Sequence, residues 1–253
     1  MTTQPGGTGA AGSQATIALV TGANKGLGRE AARQLAGLGM TVLLGSRDLG
    51  RGASAAAALG SGVRPVRLDV TDSASVRATA EEIGGSYGRL DVLVNNAGVS
   101  VAVPADETDG ATLRQVLDVN VIGVTETIRA FLPLLRRSDA PRIVNVSSTT
   151  ASLALTAAGT DFGGDAASRL AYSTSKAALN MLTVQYANAF RRDPGLARIR
   201  INAATPGYVA TDMNGHRGTR TVEEGARVIV QLATLPADGP TGGFFNDRGA
   251  VPW

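Results

Sequence analysis

Tyr172 and Lys176 are the pair in this sequence best suited to chemistry. They stand four residues apart in Arg169-Leu-Ala-Tyr-Ser-Thr-Ser-Lys-Ala-Ala-Leu-Asn-Met-Leu182, a run without Gly or Pro whose apolar residues recur at helical spacing. In a helix, positions four apart lie one turn apart on the same side. An ammonium beside a phenol favours the phenolate, so Lys176 is expected to lower the Tyr172 pKa from about 10 toward working pH. A phenol tuned in this way donates a proton to a carbonyl oxygen and takes it back in the reverse reaction. Taken alone, the pair also fits the exposed face of an ordinary amphipathic helix, because such pairs are common.

The elements that must position this pair decide between the readings. Ile17-Ala-Leu-Val-Thr21 is a short apolar run, expected to be a buried strand. The turn Thr21-Gly-Ala-Asn-Lys-Gly-Leu-Gly28 follows directly, and then a helical pattern to about Gly39. Strand, glycine-rich turn and helix form the context in which a backbone approaches a pyrophosphate closely at a helix N-terminus. The spacing is G-x-x-x-G-x-G rather than G-x-G-x-x-G, and a tight structural turn is the alternative reading. Thr41–Gly45 is the second expected strand, closed by Ser46-Arg47-Asp48. A free ribose 2′-hydroxyl calls for a carboxylate at this strand end, and a 2′-phosphate calls for cations. Ser46 stands where the acid would be, and Arg47 and Lys25 supply cations, which favours NADP(H) unless Asp48 pairs with Arg47.

Further strands are expected at 64–70, 90–94, 142–148, 199–203 and 241–245, and helices at 49–60, 73–87, 110–137, 170–191 and 222–234. Asp69 ends the third strand, where its acid could meet an adenine amine. Asn95-Asn-Ala-Gly98 ends the fourth, at the edge where open α/β sheets bind ligands. Asn120 interrupts an apolar stretch of the long helix, and a buried amide there needs partners. Ser147 and Ser148 end the fifth strand. Residues 149–169 form a long connection, and 212–221 a Gly- and Arg-rich stretch expected to be mobile, a candidate lid. The alternation of elements predicts a doubly wound, Rossmann-type α/β fold: one parallel sheet of about seven strands, helices on both faces, in a single catalytic domain over 15–253. Residues 1–14, rich in Gly, Thr and Ser, read as a disordered leader without the features of a signal peptide.

Composition excludes several other classes. There is no cysteine, hence no disulfide, thiolate metal site or cysteine nucleophile, and no metal is expected. The one histidine, His216, lies in a Gly-rich stretch with no G-x-S-x-G elbow, which argues against a serine hydrolase. The net charge is +3, but Lys and Arg are dispersed, so no nucleic-acid partner is expected. No apolar run is long enough to span a bilayer, so no membrane partner is expected and the compartment is read as cytoplasmic.

The Gly-rich turn Thr21–Gly28, Asn95-Asn-Ala-Gly98, Asn120, Ser148, Tyr172-x-x-x-Lys176 and Pro206-Gly207 occur in one order. Together they resemble the short-chain dehydrogenase/reductase family over nearly the whole chain from residue 16. Gly22-Ala-Asn-Lys-Gly26, Ser46-Arg-Asp48, Pro206-Gly-Tyr-Val-Ala-Thr-Asp-Met213, Thr221-Val-Glu-Glu-Gly225 and Trp253 are most similar to its carbonyl reductases. The resemblance implies Tyr172 as general acid/base and Lys176 as the group that tunes it and holds the nicotinamide ribose. It implies Ser148, rather than Ser147, as the partner of the substrate carbonyl, and Asn120 as the holder of a water in the proton path. For the cofactor it implies Gly22, Asn24, Lys25, Gly26, Leu27, Gly28, Arg47, Asp69, Val70, Asn95, Asn96, Ala97, Gly98, Pro206, Gly207, Val209 and Thr211, besides Tyr172 and Lys176.

The activity so implied is NADPH-dependent reduction of a ketone or aldehyde. A small or apolar pocket wall (Val99–Val103, parts of 149–171, Tyr208 and 212–221) suggests a medium-to-bulky apolar substrate. The alternatives are an NADP-linked alcohol dehydrogenase working oxidatively and a non-catalytic NADP-binding sensor. The Ser148-to-Tyr172 gap is longer than in the family's simpler members and shorter than in its monomeric carbonyl reductases. With no Asp-Gly-Gly near the C-terminus, a monomer or homodimer is expected over a tetramer.

Overall fold

The structure, a computed structural model, describes residues 15–253. The expected leader 1–14 lies outside them. Eight strands join one sheet: β1 (Ile17–Val20), β2 (Thr41–Ser46), β3 (Val63–Arg67), β4 (Val92–Asn95), β5 (Arg142–Val146), β6 (Arg200–Ala204), β7 (Phe244–Asn246) and β8 (Gly249–Ala250). Their order is β3-β2-β1-β4-β5-β6-β7-β8. β1 to β7 pair in parallel, and β8 returns antiparallel to β7. The expected count of about seven therefore rises by one. β8 has two exposed residues, too few for any pattern of alternation to announce a strand.

β1, β4 and β5 are buried at every position, and β1 is apolar throughout, because both faces of the sheet are covered. Successive side chains point to opposite faces. Ile17 and Leu19 join Leu43, Leu93, Ile143 and Ile201 on one face, beneath α3 (Ser73–Tyr87), α5 (Gly123–Leu135) and α7 (Leu170–Arg192). Ala18 and Val20 join Leu44, Val94 and Val144 on the other, beneath α1 (Gly26–Gly37), α2 (Leu49–Ala57) and α8 (Val222–Ala233). The chain winds outward from β1 to β3 and then crosses to β4 on the other side of β1. That reversal opens a crevice at the carboxyl ends of β1 and β4, the usual ligand position in such sheets.

Two expected elements differ. The single helix at 110–137 is α4 (Gly110–Leu117), a π turn over Asp118–Ile122, and α5, which ends shortly after Pro133. The connection 149–169 contains a 3-10 turn at Thr149–Ala151 and the short α6 (Leu153–Ala157). Among the described residues no helix is long and apolar enough to cross a membrane.

Candidate active site

α7 sets one face of the site. Its buried face includes Ala171, Ser175, Lys176, Leu179 and Asn180, and Arg191 and Arg192 in its last turn complement the helix dipole. Lys176 is 4 % exposed, and its Nζ donates to the Val146 carbonyl at 2.8 Å. The same Nζ lies 5.8 Å from the centre of the Tyr172 ring, over the ring. Tyr172 keeps part of its surface open to the cleft. Burial lowers the Lys176 pKa from 10.5 to about 8. Burial raises the Tyr172 pKa above 10, and a hydrogen bond with Ser148 opposes the rise. This corrects the expectation of a phenol already lowered by Lys176. Spacing brings the two residues together, but the ammonium is desolvated and tied to a carbonyl of β5, so desolvation prevails at the tyrosine.

The lysine makes a pH prediction. A depressed folded-state pKa means that the unfolded chain binds more protons between about 8 and 10.5. Stability of the protein alone should therefore rise with pH across that window. The raised Tyr172 pKa acts in the opposite direction, and only above about 10. Urea unfolding should show a Lys176 increment on the order of 2 kcal/mol that disappears in Lys176→Met. Equal pH slopes for the two proteins would contradict it.

Ser148 and Ser147 separate clearly. Ser147 is 2 % exposed and donates to Asn180 Oδ1 at 2.6 Å. Ser148 is half-buried, bonded to Thr150 Oγ1 at 3.0 Å and hydrogen-bonded to Tyr172. Asn120 sits within the π turn, fully buried. Its Nδ2 donates to the Val99 carbonyl and to Ser175 Oγ, each at 2.9 Å, and its Oδ1 accepts from Val99 N–H at 2.9 Å. Ser175 in turn donates to the Tyr172 carbonyl at 2.7 Å. Both amide hydrogens are thus used in joining the end of β4 to α7 under the tyrosine. A Cβ on Gly98 would lie 3.2 Å from Asn120 Oδ1 and 3.4 Å from Lys176 Nζ, so the three residues meet.

The glycine-rich turn lies across the crevice. Gly22 has φ +62°, and a Cβ there would stand 2.9 Å from the Ala97 Cα. A Cβ on Gly28 would stand 2.3 Å from Asn96 Nδ2. Asn96 holds the turn, donating to the Thr21 and Gly22 carbonyls at 2.9 and 3.2 Å. Thr21 Oγ1 accepts from the N–H groups of Asn96 and Ala97 at 3.0 and 2.9 Å. The N-cap of α1 is Lys25, whose side chain makes no capping bond. A helix N-terminus without a side-chain cap, reached through glycines, fits a pyrophosphate. Asn24 and Leu27 are half-buried on the same turn.

The expected cations fare differently. Lys25 pairs with Asp212 at 2.8 Å, both exposed, and His216 meets the same carboxylate at 2.8 Å. The Lys25 hydrogen bond is the main cause holding the Asp212 pKa low. Asp48 caps α2 through Arg51 N–H at 2.9 Å and pairs with the Arg51 side chain at 3.5 Å. Arg47 is exposed and makes no ion pair among the described residues. A cleft lined by Asn24, Lys25, Arg29, Asp48, Arg51 and Asp212 opens between the glycine-rich turn and α2. Asp69 Oδ1 accepts from Thr71 N–H and Oγ1 at 3.0 and 2.7 Å, and Val70 packs against Gly123. Asn95 is buried, donating to Asn145 Oδ1 at 2.8 Å, so its side chain belongs to the sheet interior rather than to the cleft. Among the described residues no group of acids and His could hold a metal.

The segment after β6 completes the wall. Gly225 of α8, which sequence reading did not single out as a site residue, lets Val209, Leu27 and Pro206 converge: its Cβ would lie 2.5, 3.2 and 3.4 Å from them. Thr211 lies against Gly26, and Gly207 has φ +79°. The Tyr208 ring covers Gly163 and Gly164 of the long connection, a Cβ on either lying 3.3 Å from it. Residues 212–221 carry a 3-10 turn at Asp212–Asn214. A neutral phenol, a hydroxyl beside it, a buried amine and an anion cradle thus line one crevice, an arrangement able to protonate a developing alkoxide next to a bound dinucleotide.

Comparison with known proteins shows the family to which the chain belongs. The family model for short chain dehydrogenase matches residues 16–222. Short-chain dehydrogenase/reductase 1 of Saponaria officinalis is 38% identical over 95% of this chain and 97% of its own length. Carbonyl reductase [NADPH] 1 of Sus scrofa is 32% identical over 95% of each chain. The crystal structure of NADPH-bound carbonyl reductase from chicken fatty liver superposes with a TM-score of 0.81, at 29% identity, covering 94% of this chain and 98% of that one.

Proposed function

The chain belongs to the short-chain dehydrogenase family, and from that premise we propose that it is an NADPH-dependent carbonyl reductase with Tyr172 as proton donor. The observation that carries the reading is the meeting of Tyr172, Ser148 and Lys176 beside the anion cradle of Gly22–Gly28. NADPH, when bound, supplies the hydride. Ser148 orients the carbonyl oxygen and stabilises the charge that grows on it. Tyr172 then gives that oxygen its proton. Its raised pKa keeps the phenol protonated at neutral pH, the state that reduction needs, whereas oxidation needs the phenolate. Lys176, held by the Val146 carbonyl, places its ammonium over the tyrosine ring at 5.8 Å from the ring centre. Asn120 fixes Val99 and α7 in register.

For the cofactor we assign Gly22–Gly28 to the pyrophosphate, Asp69 and Val70 to the adenine side, Asn96–Gly98 to the centre, and Pro206, Gly207, Val209 and Thr211 to the nicotinamide end. Arg47 meets the 2′-phosphate, because Lys25 already has a partner. Arg47→Ala is expected to raise the KM for NADPH about ten- to hundredfold, the range of a hydrogen bond to a charged group, and to leave the NADH value almost unchanged. Equal effects on both cofactors would remove Arg47 from that role.

The substrate we infer is a medium-to-bulky apolar ketone, acted on in the cytoplasm by a monomer or homodimer. The half-buried Val99, Val101 and Tyr208 support an apolar wall. Turnover of aromatic and polycyclic ketones with NADPH tests this. Fast reduction of an anionic keto acid, with apolar ketones ignored, would overturn it.

A further inference from the structure

The loop from Pro206 to Arg220 is closed by its last residue. Arg220 N–H donates to the Tyr208 carbonyl at 3.0 Å, and its own carbonyl accepts from Ala210 N–H at 2.9 Å. Gly218 is pressed so closely against Val209 and Ala210 that a Cβ there would overlap their backbone. The Arg220 guanidinium then reaches three elements. Nη1 donates to the Pro206 carbonyl at 3.0 Å and to Asp247 Oδ1 at 3.1 Å. Nη2 donates to the Glu224 carbonyl in the first turn of α8 at 3.1 Å and to Asp247 Oδ2. The stem of the side chain crosses Gly207, where a Cβ would lie 3.0 Å from Arg220 Cδ. Asp247 belongs to the turn between β7 and β8, and both side chains are mostly shielded, at 24% and 20% exposure.

We propose that Arg220 and Asp247 are positioning residues, a clasp that holds the Pro206–Thr211 segment where it receives the nicotinamide end of the cofactor. The inference rests on the cofactor reading of that segment. Arg220 touches neither substrate nor cofactor in this scheme. It acts through the Pro206 carbonyl and Gly207, and through the loop closure that presents Val209 and Thr211 to the glycine-rich turn. The planar fork is required, because one group must bind two carboxylate oxygens and two carbonyls together. A clasp that only added stability would alter unfolding without altering cofactor affinity, and this difference is measurable.

The test is NADPH affinity by fluorescence titration, with amide exchange at Ala210, in wild type, Arg220→Met, Arg220→Lys and Asp247→Asn. The exposed Arg248→Met serves as control. Arg220→Met and Asp247→Asn should each weaken NADPH binding about tenfold, a size typical of coupled elements, and speed exchange at Ala210. The double variant should be no weaker than the poorer single one. Arg220→Lys should fall between, and it decides the matter if Arg220→Met does not fold. Folded variants that bind NADPH as wild type does would overturn the clasp. A wild type that binds no NADPH would instead overturn the cofactor reading beneath it, a distinct outcome.

Discussion

Tyr172→Phe is expected to lower turnover of any carbonyl substrate by about a thousandfold, the middle of the range for loss of a positioned general acid. Affinity for NADPH should stay within a few-fold of wild type, because the ring remains under the Lys176 ammonium and only the hydroxyl is lost. The loss should fall on kcat, since the proton is delivered in the transition state and not in the ground state. Removing the hydroxyl also removes its hydrogen bond with Ser148. Ser148→Ala should therefore be less damaging than Tyr172→Phe, and the double variant no worse than Tyr172→Phe alone, as groups acting as a unit behave. Steady-state kinetics with one good ketone checks all three. A Tyr172→Phe protein with a normal kcat would remove the tyrosine from the reaction.

The second large effect is at Gly28. Gly28→Val adds a branched side chain where even a Cβ would lie 2.3 Å from Asn96 Nδ2 and 3.0 Å from the Gly22 carbonyl. Asn96 is the residue that ties the turn to the end of β4, so it cannot move aside without releasing Thr21 and Gly22. NADPH binding should fall below detection, with a stability loss of about 1–3 kcal/mol, as overpacking usually gives. Calorimetric titration and urea unfolding measure the two parts. Retained NADPH affinity would show that the cofactor does not approach this turn.

The parts of the fold and site that were legible in the sequence are those carried by short-range chemistry. The strands stood out because both faces of the sheet are covered, which leaves Ile17–Val20 apolar throughout and makes an apolar run of residues 92–94. The glycine-rich turn stood out because Gly22 and Gly28 leave no room for a side chain. Tyr172 and Lys176 were placed on one helix face by spacing alone. Spacing did not say where the lysine's end goes or how deeply the pair is buried: its ammonium is held by the Val146 carbonyl of a distant strand, and burial of the phenol raises its pKa rather than lowering it. Asn120 among apolar residues hinted at a local backbone break, but the π turn itself was not legible, because one added residue hardly disturbs the apolar pattern of a long helix. Lys25 read as a free cation, since nothing local announces an Asp212 partner so far along the chain. Arg220 fell within the stretch 212–221, expected to be mobile, and nothing local announces Asp247 as its partner.

The most direct measurement of the central claim is isotope transfer. NADPH dideuterated at the nicotinamide C4 would be incubated with the protein and a bulky apolar ketone, and the alcohol analysed by mass spectrometry and NMR. The expected result is one deuterium on the carbinol carbon for each NADPH consumed in wild type, and almost none over the same time in Tyr172→Phe. NADPH that binds yet passes no deuterium to any ketone or aldehyde in a broad panel would contradict the assignment and leave a cofactor-binding protein without reductase activity.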